Sequence, residues 1–176
     1  MRLFVGIPLA AAAIGELSAA VERLRTHGDG LRWTAPESWH ITLQFLGNTS
    51  PEQYECVVAR LRGLDLPPAA IELEALGCFN RTGVIFAGVR VSPELLLIQQ
   101  RVTAATALCG FVGEARAYQP HITLARSKGK DRSRLKAKIS RQTRFTSFVA
   151  GEFLLYESFL GAAGSRYEVR EHFSLR

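Results

Sequence analysis

A four-residue phrase occurs twice in the chain and limits its fold more than any other feature. His40-Ile41-Thr42-Leu43 opens the run HITLQFLG, and His121-Ile122-Thr123-Leu124 opens HITLAR, close to half of the 176-residue chain further on. Duplication at that spacing implies two similar units, each delivering one His-x-Thr pair. Both runs alternate with a period of two, the pattern of a half-buried strand. On that period His40, Thr42 and Gln44 share one face, and Ile41, Leu43 and Phe45 fill the other. His121 and Thr123 likewise oppose Ile122 and Leu124. Each strand is expected to turn its apolar side to a core and to leave an imidazole beside a hydroxyl on the other. A lone histidine on a strand is ordinarily a surface or structural residue. Two of only four histidines in identical contexts call for another explanation, whereas His27 and His172 lack that context and carry no expected role.

The segments between the two phrases repeat as well. Leu3, Val5, Ile7 and Leu9 alternate in a strand over residues 2–9, and Ile14, Leu17, Val21 and Leu24 fall on one helical stripe that ends at Gly28-Asp29-Gly30. Pro36 predicts an extended approach to the first histidine strand. Ser50-Pro51-Glu52-Gln53 reads as a capped helix start, with the helix running to about Leu64. Strands follow over 70–79 and 84–91, joined by a turn near Asn80 to Gly83. Ser92-Pro93-Glu94 starts the next helix, with Leu95, Ile98, Val102, Ala105 and Cys109 on its core face and Gly110 at its close. The order strand, helix, histidine strand, helix, strand thus appears over 2–79 and again over 84–156, with a terminal strand over 166–173. The class is α+β. The terminal strand need not stay with the second unit, so the expectation is a single two-lobed domain over residues 1–176.

A 47% hydrophobic chain of this length can bury a substantial core, and a net charge of +6 with a pI near 9.7 favours a polyanionic partner. The charge concentrates directly after the second histidine strand. Residues 127–144 hold eight Lys or Arg against one acid, Asp131, and read either as a solvated helix face or as a phosphate-steering surface at the lip of the site, for which Lys128, Lys130, Arg132 and Arg134 are the candidate nucleic-acid contacts. Cys56, Cys78 and Cys109 are odd in number and lack C-x-x-C spacing, so neither a disulfide framework nor a zinc cluster is expected, and a reducing cytoplasm fits. The opening RLFVGIPLAAAAIG imitates a secretory signal but is read as part of the fold, because it supplies a strand and most of a helix. No other run has the apolar length of a membrane span. There is no H-E-x-x-H, aspartate cluster, P-loop or Gly-rich dinucleotide fingerprint, so no metal or other cofactor is expected.

Two imidazoles facing one slot can act as general base and general acid together, because a pKa near ~6.5 leaves both forms accessible at neutral pH. Thr42 and Thr123, two residues along on the same faces, are placed to donate hydrogen bonds to oxygens whose negative charge grows in a transition state.

The paired H-x-T-L strands resemble the 2H phosphoesterase superfamily, in particular the bacterial and archaeal RNA 2',3'-cyclic phosphodiesterases once called 2'-5' RNA ligases. The likeness takes in RLFVGIPL, Trp39, the FLG after the first motif, Tyr118-Gln119-Pro120 before the second, Ala125-Arg126 after it and the closing LYESFLGAAGSRYEV, essentially the whole chain. The resemblance implies a duplicated two-lobed fold, with two antiparallel-rich sheets, helices on their outer faces and the polar strand faces opposed across a central groove. It implies hydrolysis of a terminal RNA 2',3'-cyclic phosphate to a 2'-phosphomonoester without metal, with His40 as proton donor and His121 as proton acceptor. Arg126 matches a phosphate-contacting arginine of the family. Strand parity, however, puts Arg126 opposite His121 and Thr123 unless the strand bulges by Ala125. The partner is then an RNA end or nucleotide carrying a cyclic phosphate, not a membrane, and the chain is expected to act as a monomer. Two other readings stay open. One is a 2H phosphodiesterase for small cyclic nucleotides or 2'-5' linked oligonucleotides; the other is a non-catalytic RNA-end binder, which would not need both histidines.

Overall fold

Leu3, Val5 and Ile7 are buried on β1 (Arg2–Pro8), the first strand of a computed structural model that describes residues 1–26, 28–127, 139, 144–161 and 164–176. The stripe of α1 (Ala11–Leu24) packs onto the same core through Leu17, Val21 and Leu24. After the short β2 (Leu31–Trp33) the chain stays extended only to Ala35. Pro36, suited to a first helical position, then opens a single 3-10 turn over Pro36–Ser38 in place of the expected extended approach. The first histidine strand is β3 (His40–Asn48), and Ser50 caps α2 (Pro51–Arg62) reciprocally with Gln53, as its sequence predicts. β4 (Ala69–Ile71), β5 (Leu73–Phe79) and β6 (Val84–Val89) lead to α3 (Pro93–Ala107), where the Ser92 hydroxyl accepts from Leu95 N–H at 3.1 Å. The second histidine strand is β7 (His121–Ser127), followed by β8 (Phe148–Ala150), β9 (Glu152–Gly161) and β10 (Gly164–Ser174).

These strands form two four-stranded sheets, ordered β10-β9-β1-β3 and β2-β7-β6-β5, together with the pair β4-β8. Every pairing is antiparallel. The sheets do not follow the two halves of the sequence. β2 and β5, from before the midpoint, join the sheet of the second histidine strand, while β9 and β10 join that of the first. One apolar cluster binds the two sheets together, with Val5, Ile7, Ile41 and Leu43 from one sheet, Ile85, Ala87, Ile122 and Leu124 from the other, and the inner faces of α1, α2 and α3. Each fully buried aliphatic side chain contributes ~1.5–3 kcal/mol. The apolar halves of both histidine strands are therefore anchored in one core, and their polar halves keep a fixed relation.

Cys56 of α2 and Cys109 just past α3 form a disulfide, against the expectation drawn from their spacing. α2 and α3 pack side by side and bring the two Cα atoms to 5.8 Å, a closeness that sequence separation does not reveal. Cys78 is free. No described helix is long and apolar enough to cross a membrane.

Candidate active site

Both histidine strands break their alternation at the same place. In β3, Gly6 of β1 faces Thr42 and Val5 faces Gln44, so Leu43 is the extra residue of a β-bulge. In β7, Phe86 of β6 faces Thr123 and Ile85 faces Ala125, so Leu124 is the extra residue. Each bulge buries two consecutive residues, Leu43-Gln44 and Leu124-Ala125, and returns the fifth residue after the histidine, Phe45 or Arg126, to the side of that histidine. Arg126 therefore faces the same cavity as His121 and Thr123. The bulge also corrects two expectations. Gln44 lies buried rather than beside His40, its Oε1 accepting from the Thr106 hydroxyl at 2.6 Å, and Phe45 is 62% exposed rather than core.

The histidines are seated alike. His40 Nδ1–H donates to Ser38 O at 2.8 Å, and His121 Nδ1–H to Gln119 O at 2.8 Å. A carbonyl can only accept, so each bond fixes the tautomer and leaves Nε2 as the working nitrogen of the neutral ring. Their surroundings differ. His40 packs against Phe4, Tyr167 and Tyr156, with ring centroids 4.6, 5.2 and 5.7 Å away. Burial among these rings pushes its pKa down to about 4; the Ser38 bond acts in the opposite sense, and the nearby His121 lowers it further. His121 is more open, edge-on to Phe79 at 5.0 Å and Phe86 at 5.6 Å. Glycines make room for both seats. A Cβ on Gly6 would stand 3.0 Å from Ile41 O and 3.4 Å from His40 Cδ2, and one on Gly77 would stand 2.5 Å from Cζ of Phe86.

A cavity of 630 Å³ brings together His40, Thr42, His121, Thr123 and Arg126. A second, of 480 Å³, adjoins it along Thr42, Phe45, His121 and Arg126 and extends toward Phe79 and Tyr118. Two polar walls thus meet at one cavity, with an imidazole from each strand and a hydroxyl beside each. Tyr118 ties the walls together, its hydroxyl donating to Thr42 O across to the other histidine strand at 3.0 Å. Among the described residues no three His, Cys, Asp or Glu side chains gather as a metal site. Lys128, Lys130, Arg132 and Arg134, the candidate RNA contacts, lie outside the described residues.

The aromatic residues in and around the two cavities separate by environment. Trp33 packs on the core with Nε1–H donating to Asp29 at 3.0 Å, Phe79 stacks on Phe86, Tyr167 walls His40, and Phe159 lies under Arg166. Sequence reasoning missed Phe4, Phe45, Phe86, Tyr156 and Arg32 as site residues, and these come from five different strands. Only Phe45 carried a local signal, standing five residues after its histidine as Arg126 does after His121.

Comparison with known proteins agrees with this geometry. The family model described as the 2'-5' RNA ligase superfamily matches residues 15–158. The RNA 2',3'-cyclic phosphodiesterase of Methanocaldococcus jannaschii is 30% identical over 175 residues, spanning 96% of this chain and 98% of its own. Among solved structures, Escherichia coli LigT in its apo form superposes with a TM-score of 0.85 at 25% identity, over 99% of this chain and 96% of that one. The same protein complexed with 3'-AMP gives 0.84 at 25% identity, over 99% and 97%.

Proposed function

The chain belongs to the 2'-5' RNA ligase superfamily, and from that premise we propose that it opens the terminal 2',3'-cyclic phosphate of an RNA to a 2'-phosphomonoester by paired-histidine acid–base catalysis. Its fold is that of the LigT-like phosphoesterases, and cyclic phosphodiesterase is the activity named for its relatives. The observation that carries the reading is the pair of matched seats, each imidazole held through Nδ1 with Nε2 left for proton transfer at one shared cavity. A binding protein for RNA ends would need neither.

In this scheme His121, the more open ring, takes a proton from water as the water's oxygen bonds to phosphorus. His40 donates a proton to the departing 3' oxygen as the P–O3' bond breaks, leaving the phosphate on the 2' oxygen. The aromatic wall gives this assignment its physical sense. An imidazolium whose pKa has been pushed down is a strong acid, and the phosphodiester anion entering beside it would supply the charge that holds the proton there. Thr42, Thr123 and Arg126 would bind the non-bridging oxygens, whose negative charge grows in the transition state. No step requires a metal, and exhaustive EDTA treatment should leave the rate unchanged; a loss restored by added Mg²⁺ or Zn²⁺ would defeat the scheme. The direct test is incubation with a short RNA ending in a 2',3'-cyclic phosphate, with ³¹P NMR of the product. The expected product is the 2'-phosphomonoester alone; a 3'-phosphomonoester or unchanged substrate would refute the reading.

A further inference from the structure

β2 places a second arginine directly opposite Arg126. In the antiparallel pair of β2 with β7, Arg32 faces Arg126, flanked by Leu31 facing Ser127 and Trp33 facing Ala125. Directly opposed residues project to the same face, and like charges so placed repel. Nothing at hand relieves them, because among the described residues neither arginine has a carboxylate within ion-pair distance. The acid nearest in sequence is already engaged. Asp29 accepts from Leu31 N–H at 2.9 Å, Trp33 Nε1–H at 3.0 Å and Thr26 N–H at 3.3 Å, holding β2 in place and leaving Arg32 free to face outward.

The cavity these arginines face has the same one-sided charge. Among the described residues its wall carries Arg2, Arg32, Arg126 and Arg166 beside the two histidines and no Asp or Glu, and of these four arginines Arg166 alone has an ion pair there, with Glu168. The adjoining cavity differs, since Glu114 lines it and pairs with Arg116. Adjacent strands lie ~4.8 Å apart, so opposed guanidinium groups can hold two neighbouring phosphates.

We propose that Arg32, supported by Arg2, binds a second phosphate, the internucleotide phosphate on the 5' side of the terminal nucleoside, and so makes the enzyme select a polynucleotide end over a free cyclic mononucleotide. This rests on the reading of the Arg126 site as the seat of the cyclic phosphate. Arg32 is a specificity residue: it touches a part of the substrate that does not react. Removing it should raise KM for the longer substrate more than it lowers kcat.

The test compares a nucleoside 2',3'-cyclic phosphate with a dinucleotide ending in the same group, using wild type, Arg32→Ala and Arg32→Gln. The ratio of kcat/KM on the dinucleotide to that on the mononucleotide should fall about tenfold in both variants. The salt dependence of dinucleotide binding should flatten by ~0.7 in log–log slope, the release expected for one phosphate contact on a single strand. An unchanged ratio, whether the variants lose activity on both substrates alike or on neither, overturns the proposal. If wild type turned over neither substrate, the function reading would fall first. Calorimetric titration with the 2'-phosphorylated dinucleotide and mononucleotide would still decide this point, because Arg32→Ala must weaken the two-phosphate ligand selectively.

Discussion

The strands β3 and β7 carry the same tetrapeptide, the same bond from Nδ1 to the carbonyl two residues upstream and the same bulge, yet they build different surroundings. Around His40 stand Phe4, Tyr156 and Tyr167, and the fifth position is Phe45. Around His121 stand Phe79 and Phe86, and the fifth position is Arg126. The shared residues set where each imidazole points. The unshared ones, supplied mostly by other strands, set what lies beside it, and around His40 they make the ring harder to charge. A duplicated motif can thus give symmetrical geometry with unequal chemistry.

The comparison breaks most visibly if either ring is removed. His40→Ala and His121→Ala should each lose ~10² to ~10⁴ in kcat with the fold intact, and the losses should fail to multiply in the double variant if both act in one step. Multiplying losses, or a loss confined to one variant, would mean that the seats do not work as a pair.

The fifth position should give the next largest effect. Arg126→Ala should cost ~10² or more in kcat, as removal of a charge-stabilising donor does, while Phe45→Ala should cost less and act mainly on KM. Steady-state kinetics would separate the two, and equal losses in kcat would mean that charge at this position is not what matters.

Smaller effects should follow from crowding the seats. Gly77→Ala sets a Cβ against the Phe86 ring and should displace the wall of His121, lowering kcat by roughly tenfold and stability by ~1–3 kcal/mol. Gly6→Ala meets no atom closer than Ile41 O at 3.0 Å, with His40 Cδ2 at 3.4 Å, against 2.5 Å at Gly77, and should cost less on both measures. Urea melts and kcat for the two variants, with the order reversed, would place the tighter seat at His40.

Acid should distinguish the seats by stability. The folded pKa of His40, about 4, lies below the value of 6.5 for a free imidazole. The unfolded chain therefore takes up a proton there before the folded one does. Stability is complete above about pH 6.5 and is lost as pH falls toward 4, by up to about 3 kcal/mol. Urea melts at pH 4 and pH 7 should show that loss in wild type and a smaller one in His40→Gln; equal losses would mean that the aromatic wall does not desolvate the ring.

The helices, the strand faces up to the bulges and the paired motifs were readable in the sequence because they depend on local period and local caps. Ser50 with Gln53 and the stripe of α3 needed only neighbours within a turn or two. The bulges were not readable from alternation, since HITLQF continues a plausible period while Gln44 is in fact drawn inward to Thr106. Adjacent apolar Leu124-Ala125 was the only local hint that β7 would shift its parity. Sheet membership, the rings around His40, the Arg32–Arg126 opposition and the Cys56–Cys109 bond depend on pairings between distant segments, which no local pattern encodes.

The division of labour between the two seats is tested most directly by a leaving group that needs no proton. On an aryl phosphodiester of a nucleoside, whose phenolate departs unassisted, His40→Ala should recover most of the wild-type rate while His121→Ala stays slow. Recovery of His121→Ala alone would reverse the assignment, and recovery of neither would mean that the histidines hold phosphate without moving protons.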